Sequence, residues 1–202
     1  TKLTDALKLD SVVLEVGLTP NRADCASLLG VARETAMAFG LPLNPPRFEL
    51  SEIDDEAASR IRIEIPEPEL CPCYRSRVIE GVKIGPSPAW LRYRLMAVGQ
   101  RPISNIVDIT NYVMLELGQP MHAFDLDLIE GGVIQVKRAV EGSTFKTLDG
   151  QDRKMTANDI LIWDGVKPVG VGGIMGGANS EIHAGSTRVL LESAVFNPSN
   201  IR

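Results

Sequence analysis

Ser104-Asn105-Ile106-Val107-Asp108-Ile109-Thr110-Asn111-Tyr112-Val113-Met114-Leu115-Glu116-Leu117-Gly118 decides the fold class, because it is the last long stretch with helical spacing. Ile106, Ile109, Val113 and Leu117 recur at that spacing and are expected to face inward. Ser104 suits the N-cap and Gly118 a left-handed stop. Beyond residue 130 the pattern changes to short strands, expected over 133–136, 144–148, 160–162 and 189–191. Asp149-Gly150 and Asp164-Gly165 are hairpin-type turns. Helices followed by strands predict an α+β fold, with helices packed on mainly antiparallel strands.

Working back toward the start, residues 20–40 read as one helix. Pro20 sits near its beginning, Leu28, Leu29, Ala32, Ala36 and Phe39 are at helical spacing, and Gly40 stops it. Leu41-Pro42-Leu43-Asn44-Pro45-Pro46 cannot continue a helix and marks a linker or domain boundary. The acidic stretch 52–56 is expected to be solvated surface. Ile61, Ile63 and Ile65 alternate with Arg62 and Glu64, as in a half-buried strand. A second strand is expected over 74–79. Ser87-Pro88 then opens a helix carrying Leu91, Leu95 and Met96, stopped by Gly99.

The 202 residues are enough for one large domain or two small ones. Hydrophobic residues at 44% and charged residues at 23% place the chain in the soluble globular range. No apolar run approaches the roughly 18 residues of a membrane span. The formal charge of -5 argues against a duplex-binding module, which carries a basic excess. It leaves two readings: few nucleic-acid contacts aimed at an end or a single strand, or an acidic cytoplasmic domain with no RNA role. Cys25, Cys71 and Cys73 form neither a disulfide framework nor a zinc ligand set, and are expected to be reduced thiols. The chain begins at Thr1 without Met and stops after an Asn197-Pro198 turn, so both ends are expected to be cuts in a longer protein.

Several motifs could carry chemistry. Gly170-Val171-Gly172-Gly173-Ile174-Met175-Gly176-Gly177 fails the dinucleotide fingerprint, because Met175 stands where glycine is needed, and no Lys-Ser/Thr follows for a phosphate loop. Phosphate binding is then the minor reading, beside a turn needing positive φ angles or bare backbone close to a ligand. His183 lies in a polar loop and is expected to face solvent. His122 sits where a helix ends, on a turn that presents one imidazole among apolar neighbours; it is either a packed, satisfied histidine or a site residue. No partner stands near it at metal-ligand spacing, and no covalent nucleophile is signalled. Ser104, Asp108 and Asn111 share one helix face, which is either solvated or functional. Glu192 interrupts the apolar run 189–196; a lone carboxylate there needs a salt bridge to an arginine or a task.

Four strings read together resemble the beta subunits of bacterial phenylalanyl-tRNA synthetases. They are Thr19-Pro20-Asn21-Arg22-Ala23-Asp24-Cys25 with Gly30-Val31-Ala32-Arg33-Glu34; residues 101–113, from Arg101-Pro102-Ile103; Leu115-Glu116-Leu117-Gly118-Gln119-Pro120-Met121-His122-Ala123-Phe124-Asp125; and Gly173-Ile174-Met175-Gly176-Gly177 with Leu190-Leu191-Glu192-Ser193-Ala194. The resemblance implies that residues 1–45 are the helical C-terminal remnant of the subunit's first domain. Residues 46–202 then form the tRNA-editing module of its third and fourth domains, C-terminally truncated.

The resemblance implies that this module hydrolyses the ester of tyrosine mischarged onto phenylalanine tRNA. Carried over by position, its pocket falls on Arg101, Asn111, His122, Gly176 and Glu192. Glu192 would accept a hydrogen bond from the tyrosine phenol, and Gly176 would let the substrate approach. His122 and Asn111 would line the pocket near the amino acid and the ester, and Arg101 would help place the tRNA end. The family's pocket also uses residues beyond Arg202. The resemblance further implies a tetramer of two alpha and two beta subunits in the cytoplasm. ATP and magnesium would serve the alpha-subunit site, with no cofactor or metal in this chain. A different reading makes the chain a non-catalytic module that guides tRNA.

Overall fold

The computed structural model describes residues 2, 4, 5, 9 and 12–202; Thr1, on which the reading of the chain's start rests, lies outside them. The chain divides into two compact units, Thr1–Glu52 with Gly85–Met121, and Ile53–Ile84 with His122–Arg202.

The first unit is helical. A short 3-10 turn, Ala23–Cys25, precedes α1 (Leu28–Phe39). The helix begins later than the expected residue 20, because Ser27 caps it: its side chain accepts from the Gly30 N–H at 3.0 Å. A Cβ on Gly30 would lie 1.8 Å from the Asp24 carbonyl oxygen, so glycine lets the 3-10 turn fold onto the helix start. Gly40 closes α1 in the left-handed conformation, φ 62°. The residues read at helical spacing are largely exposed, with Leu28 at 65% and Phe39 at 75%. The proline segment after Gly40 has no regular structure, as its composition requires.

Next in this unit come α2 (Ala89–Ala97) and α3 (Asn105–Leu117). Leu91 and Leu95 are buried, but Met96 is exposed. Ser87 does not cap α2. Pro88 holds that position, and the Ser87 hydroxyl donates to Asp108 at 2.5 Å. Asp108 also accepts from the Ile103 N–H at 2.7 Å. Ile106 of α3 is buried as expected, but the rest of the inward face differs: Asp108 and Thr110 are buried, whereas Ile109 is 47% exposed. The carboxylate thus holds the Ile103 N–H just before the helix and the Ser87 hydroxyl, and in the first turn it complements the helix dipole, which together stabilise its burial. Trp90 meets Tyr112 edge to face at 5.7 Å, and Arg94 donates to the Tyr112 hydroxyl at 2.9 Å, joining α2 to α3.

The second unit is built from β1 (Arg62–Glu64), β2 (Cys73–Glu80), β3 (His122–Asp125), β4 (Val133–Arg138), β5 (Thr144–Lys146), β6 (Asp152–Lys154), β7 (Ile160–Trp163), β8 (Pro168–Val171), β9 (Met175–Gly176) and β10 (Arg188–Val195). One sheet runs β1-β4-β7-β8-β9, a second β2-β10-β3, and β5-β6 form a hairpin across Asp149-Gly150. Apart from the parallel pair β1-β4, the described strand pairs are antiparallel. The α+β reading with mainly antiparallel strands therefore holds. A short helix, α4 (Pro198–Ile201), follows β10 and is capped by Asn197.

Residues of both larger sheets share one core, including Tyr74, Phe124, Ile134, Val136, Ile160, Val169 and Leu190. Each fully buried large apolar side chain contributes about 1.5–3 kcal/mol. The glycine-rich run forms the β8-β9 connection. Gly173, at φ 69°, supplies the turn, as the positive-φ reading expected.

Candidate functional site

The candidate site grows out of β10, the central strand of the three-stranded sheet. Side chains alternate across a strand, so Leu190, Glu192 and Ala194 share one face. The register sets Val78, Ser76 and Tyr74 of β2 on one side of them, and Phe124 and His122 of β3 on the other. Leu190, Phe124 and Tyr74 belong to the core. Glu192 and His122 are paired across strands on this same face, the nearest-neighbour position in an antiparallel ladder. His122 was expected on a turn; it opens β3 instead, because pairing with β10 holds its backbone extended.

Glu192 is 6% exposed. The Tyr74 hydroxyl donates to its Oε2 at 2.7 Å. The expected alternative, an arginine salt bridge, is replaced by a phenol; among the described residues no cation pairs with this carboxylate. Burial pushes the Glu192 carboxyl up to about 7, while the Tyr74 hydrogen bond pulls the other way. Burial, together with the facing carboxylate, drives the Tyr74 phenol well up, so it stays a donor.

His122 packs edge-on against Phe124, with ring centroids 4.5 Å apart. Its Nε2 has no hydrogen-bond partner among the described residues. Burial pushes the imidazole down to about 4, so it is neutral at neutral pH. A Cβ on Gly176 would stand 2.5 Å from this Nε2 and 2.4 Å from Cε1. Glycine at 176 thus makes room for the His122 ring, and Leu148 lies against the same position.

The structure brings together three of the five site residues named from the sequence: Glu192, His122 and Gly176. Arg101 and Asn111 belong to the other compact unit; Arg101 is exposed and Asn111 half-buried on α3. Tyr74 escaped the sequence reading. Its signal was there: on a strand it shares the inward parity of Ser76 and Val78, and a buried tyrosine hydroxyl needs a partner.

The remaining candidates resolve simply. His183 is exposed, with Nε2 3.2 Å from an Asp125 carboxylate oxygen. The three cysteines are free thiols, and burial raises that of Cys71 to about 11. Potential ligand atoms of Asp24, Cys25 and Glu34 lie within 4.8 Å of one another, but the Arg22 guanidinium bridges Asp24 and Glu34, at 2.9 Å each. No helix of the described residues is long and apolar enough to cross a membrane.

The family model described as the B3/4 domain matches residues 70–202. A phenylalanine–tRNA ligase beta subunit of Nitratidesulfovibrio vulgaris is 57% identical over 201 residues, covering all of this chain and 25% of that protein. The corresponding subunit of Geobacter sulfurreducens is 53% identical over 200 residues, with the same 25% share. The chain thus spans about a quarter of the length of these curated relatives. In fold it resembles an N-terminal fragment of the phenylalanyl-tRNA synthetase beta subunit from Pyrococcus horikoshii, with TM-score 0.51, 15% identity, and coverage of 89% of this chain and 54% of that one.

Proposed function

Because the chain belongs to the B3/4 domain family, in the form carried by phenylalanine–tRNA ligase beta subunits, we propose that it is the part of such a subunit that removes tyrosine wrongly joined to phenylalanine tRNA. The observation that carries the reading is Glu192: a buried carboxylate, bonded by Tyr74 through one oxygen, on the same sheet face as the neutral His122.

Tyrosine differs from phenylalanine by one hydroxyl. A synthetic pocket shaped for phenylalanine excludes that hydroxyl only partially, whereas a site built to bond it can select it strongly. Glu192 supplies the acceptor. A hydrogen bond contributes about 0.5–1.5 kcal/mol with a neutral acceptor and about 1.5–3 kcal/mol with a charged one, so the preference for tyrosine reaches tenfold or more when Glu192 is ionised.

The chemistry is ester hydrolysis. Water adds to the ester carbonyl, the bond to the ribose oxygen breaks, and tyrosine and the tRNA hydroxyl are released. In this reading His122 Nε2 is the polar atom that meets the ester end or its water, and Gly176 lets the imidazole take that place. The whole subunit would work in the cytoplasm with an alpha subunit, in a tetramer of two of each, and the alpha-subunit site would use ATP and magnesium.

Glu192→Ala in the complete enzyme tests the reading. Release of tyrosine from tyrosyl-tRNA is expected to fall at least about tenfold, with phenylalanine charging measured in parallel as a control for assembly. Unchanged tyrosine release would remove Glu192 from the site.

A further inference from the structure

The carboxylate that would recognise a tyrosine phenol already holds one. Tyr74 Oη donates to Glu192 Oε2 at 2.7 Å, and both residues are almost fully buried. Tyr74 cannot leave easily. It stands opposite Ala194 on β2, the diagonal neighbour of Glu192, and its ring is part of the core with Phe124 and Leu190. A carboxylate has two oxygens and about four lone-pair sites, so one phenol on Oε2 leaves Oε1 able to accept another.

We infer that Tyr74 is a positioning residue for substrate selection: it anchors Oε2 of Glu192 so that Oε1 is presented to the phenol of a bound tyrosine, and the site recognises tyrosine by completing a two-phenol pair on one carboxylate. The inference rests on the proposed editing function and deepens it. It also changes the account of selectivity. Glu192 is not left without a partner when phenylalanine occupies the site, because Tyr74 stays bonded to it. Selection then comes from the bond gained by tyrosine more than from a penalty on phenylalanine. The carboxylate is held in one orientation before substrate arrives, so less ordering is needed on binding.

The test is a double-mutant cycle in the complete enzyme with tyrosyl-tRNA as the probe. Tyr74→Phe deletes one oxygen and keeps the ring. KM for tyrosine release is expected to rise about tenfold or more, with a much smaller change in kcat, because the phenol end lies away from the breaking ester bond. Adding Tyr74→Phe to Glu192→Ala is expected to produce no further loss, because Tyr74 acts through Glu192. A merely structural tyrosine would lower kcat as well and would worsen the Glu192→Ala enzyme.

An unchanged KM, or a lower one, for Tyr74→Phe overturns the inference; a lower value would mean that Tyr74 competes with the substrate phenol. Loss of tyrosine release in Glu192→Ala alongside an unchanged KM in Tyr74→Phe defeats this inference alone, whereas no effect of Glu192→Ala defeats the proposed function itself. Should Tyr74→Phe fail to fold, meta-fluorotyrosine at 74 replaces it. Its fluorine resonance is expected to shift when free tyrosine is added and to stay put with phenylalanine. Equal responses to the two amino acids would also overturn the inference.

Discussion

Glu192 and His122 are neighbours on one sheet face, and burial moves them in opposite directions. The Glu192 carboxyl rises from 4.5 to about 7 in the folded chain. Its contribution to stability is therefore fully present below about pH 4.5 and is lost as pH rises through about 7, a change on the order of 3 kcal/mol. The His122 imidazole falls from 6.5 to about 4. Its contribution is present above pH 6.5 and is lost as pH falls through about 4. Glu192→Gln, which cannot ionise, is expected to stabilise the fold more at pH 8 than at pH 4.5. Urea unfolding of both proteins at the two pH values measures the difference, and parallel curves would show that burial of Glu192 does not govern this window. The sequence singled out both residues, Glu192 as a carboxylate in an apolar strand and His122 as a lone imidazole beside apolar residues. It did not show which groups they meet, because Tyr74 is 118 residues away from Glu192.

At the scale of elements, α3 shows how a correct helix can have a misread face. Its limits fall at Ser104 and Gly118 as expected, although the Ser104 side chain makes no capping hydrogen bond, but its apolar stripe only partly predicted which side is buried. Asp108 is buried because it ties the segment before the helix, through Ile103, and the approach to α2, through Ser87. Asp108→Ala is expected to destabilise the protein by about 2 kcal/mol, since two donors lose their acceptor, while Asp108→Asn keeps a carbonyl for Ile103 and costs about half as much. Chemical unfolding of the two variants distinguishes them; equal losses would mean that the charge matters rather than the acceptor. The sequence pattern exposed β1, β2, β4, β5, β7 and part of β10. It missed β3, β6, β8 and β9, which are short or glycine-rich and exist because partner strands complete their hydrogen bonds.

Across the whole molecule, the two compact units differ in what they bury. The second unit holds both clusters of buried apolar residues, whereas α1 in the first leaves Leu28, Met37 and Phe39 exposed. Amide hydrogen exchange is expected to reflect this. The N–H groups of Ile134, Val169 and Leu190 should exchange at least about a hundredfold more slowly than those of α1, because the former open only with the core and the latter with local fraying. Comparable protection in α1 would show that the buried clusters do not set the hierarchy of stability.

Reading along the chain was enough for the fold class, the helix stops at Gly40, Gly99 and Gly118, and the family to which the chain belongs, while the glycine run 170–177 stayed open between a turn and a close approach. These depend on local conformational preference or on ordered strings that are read along the chain. Packing alone sets the bare Gly176 against the His122 ring, buries Asp108, puts the turn at Gly173 and makes Tyr74 the partner of Glu192. Each of these depends on which strands and turns pack together. Sequence periodicity gives the side a residue faces, but strand pairing and register choose the atom it meets.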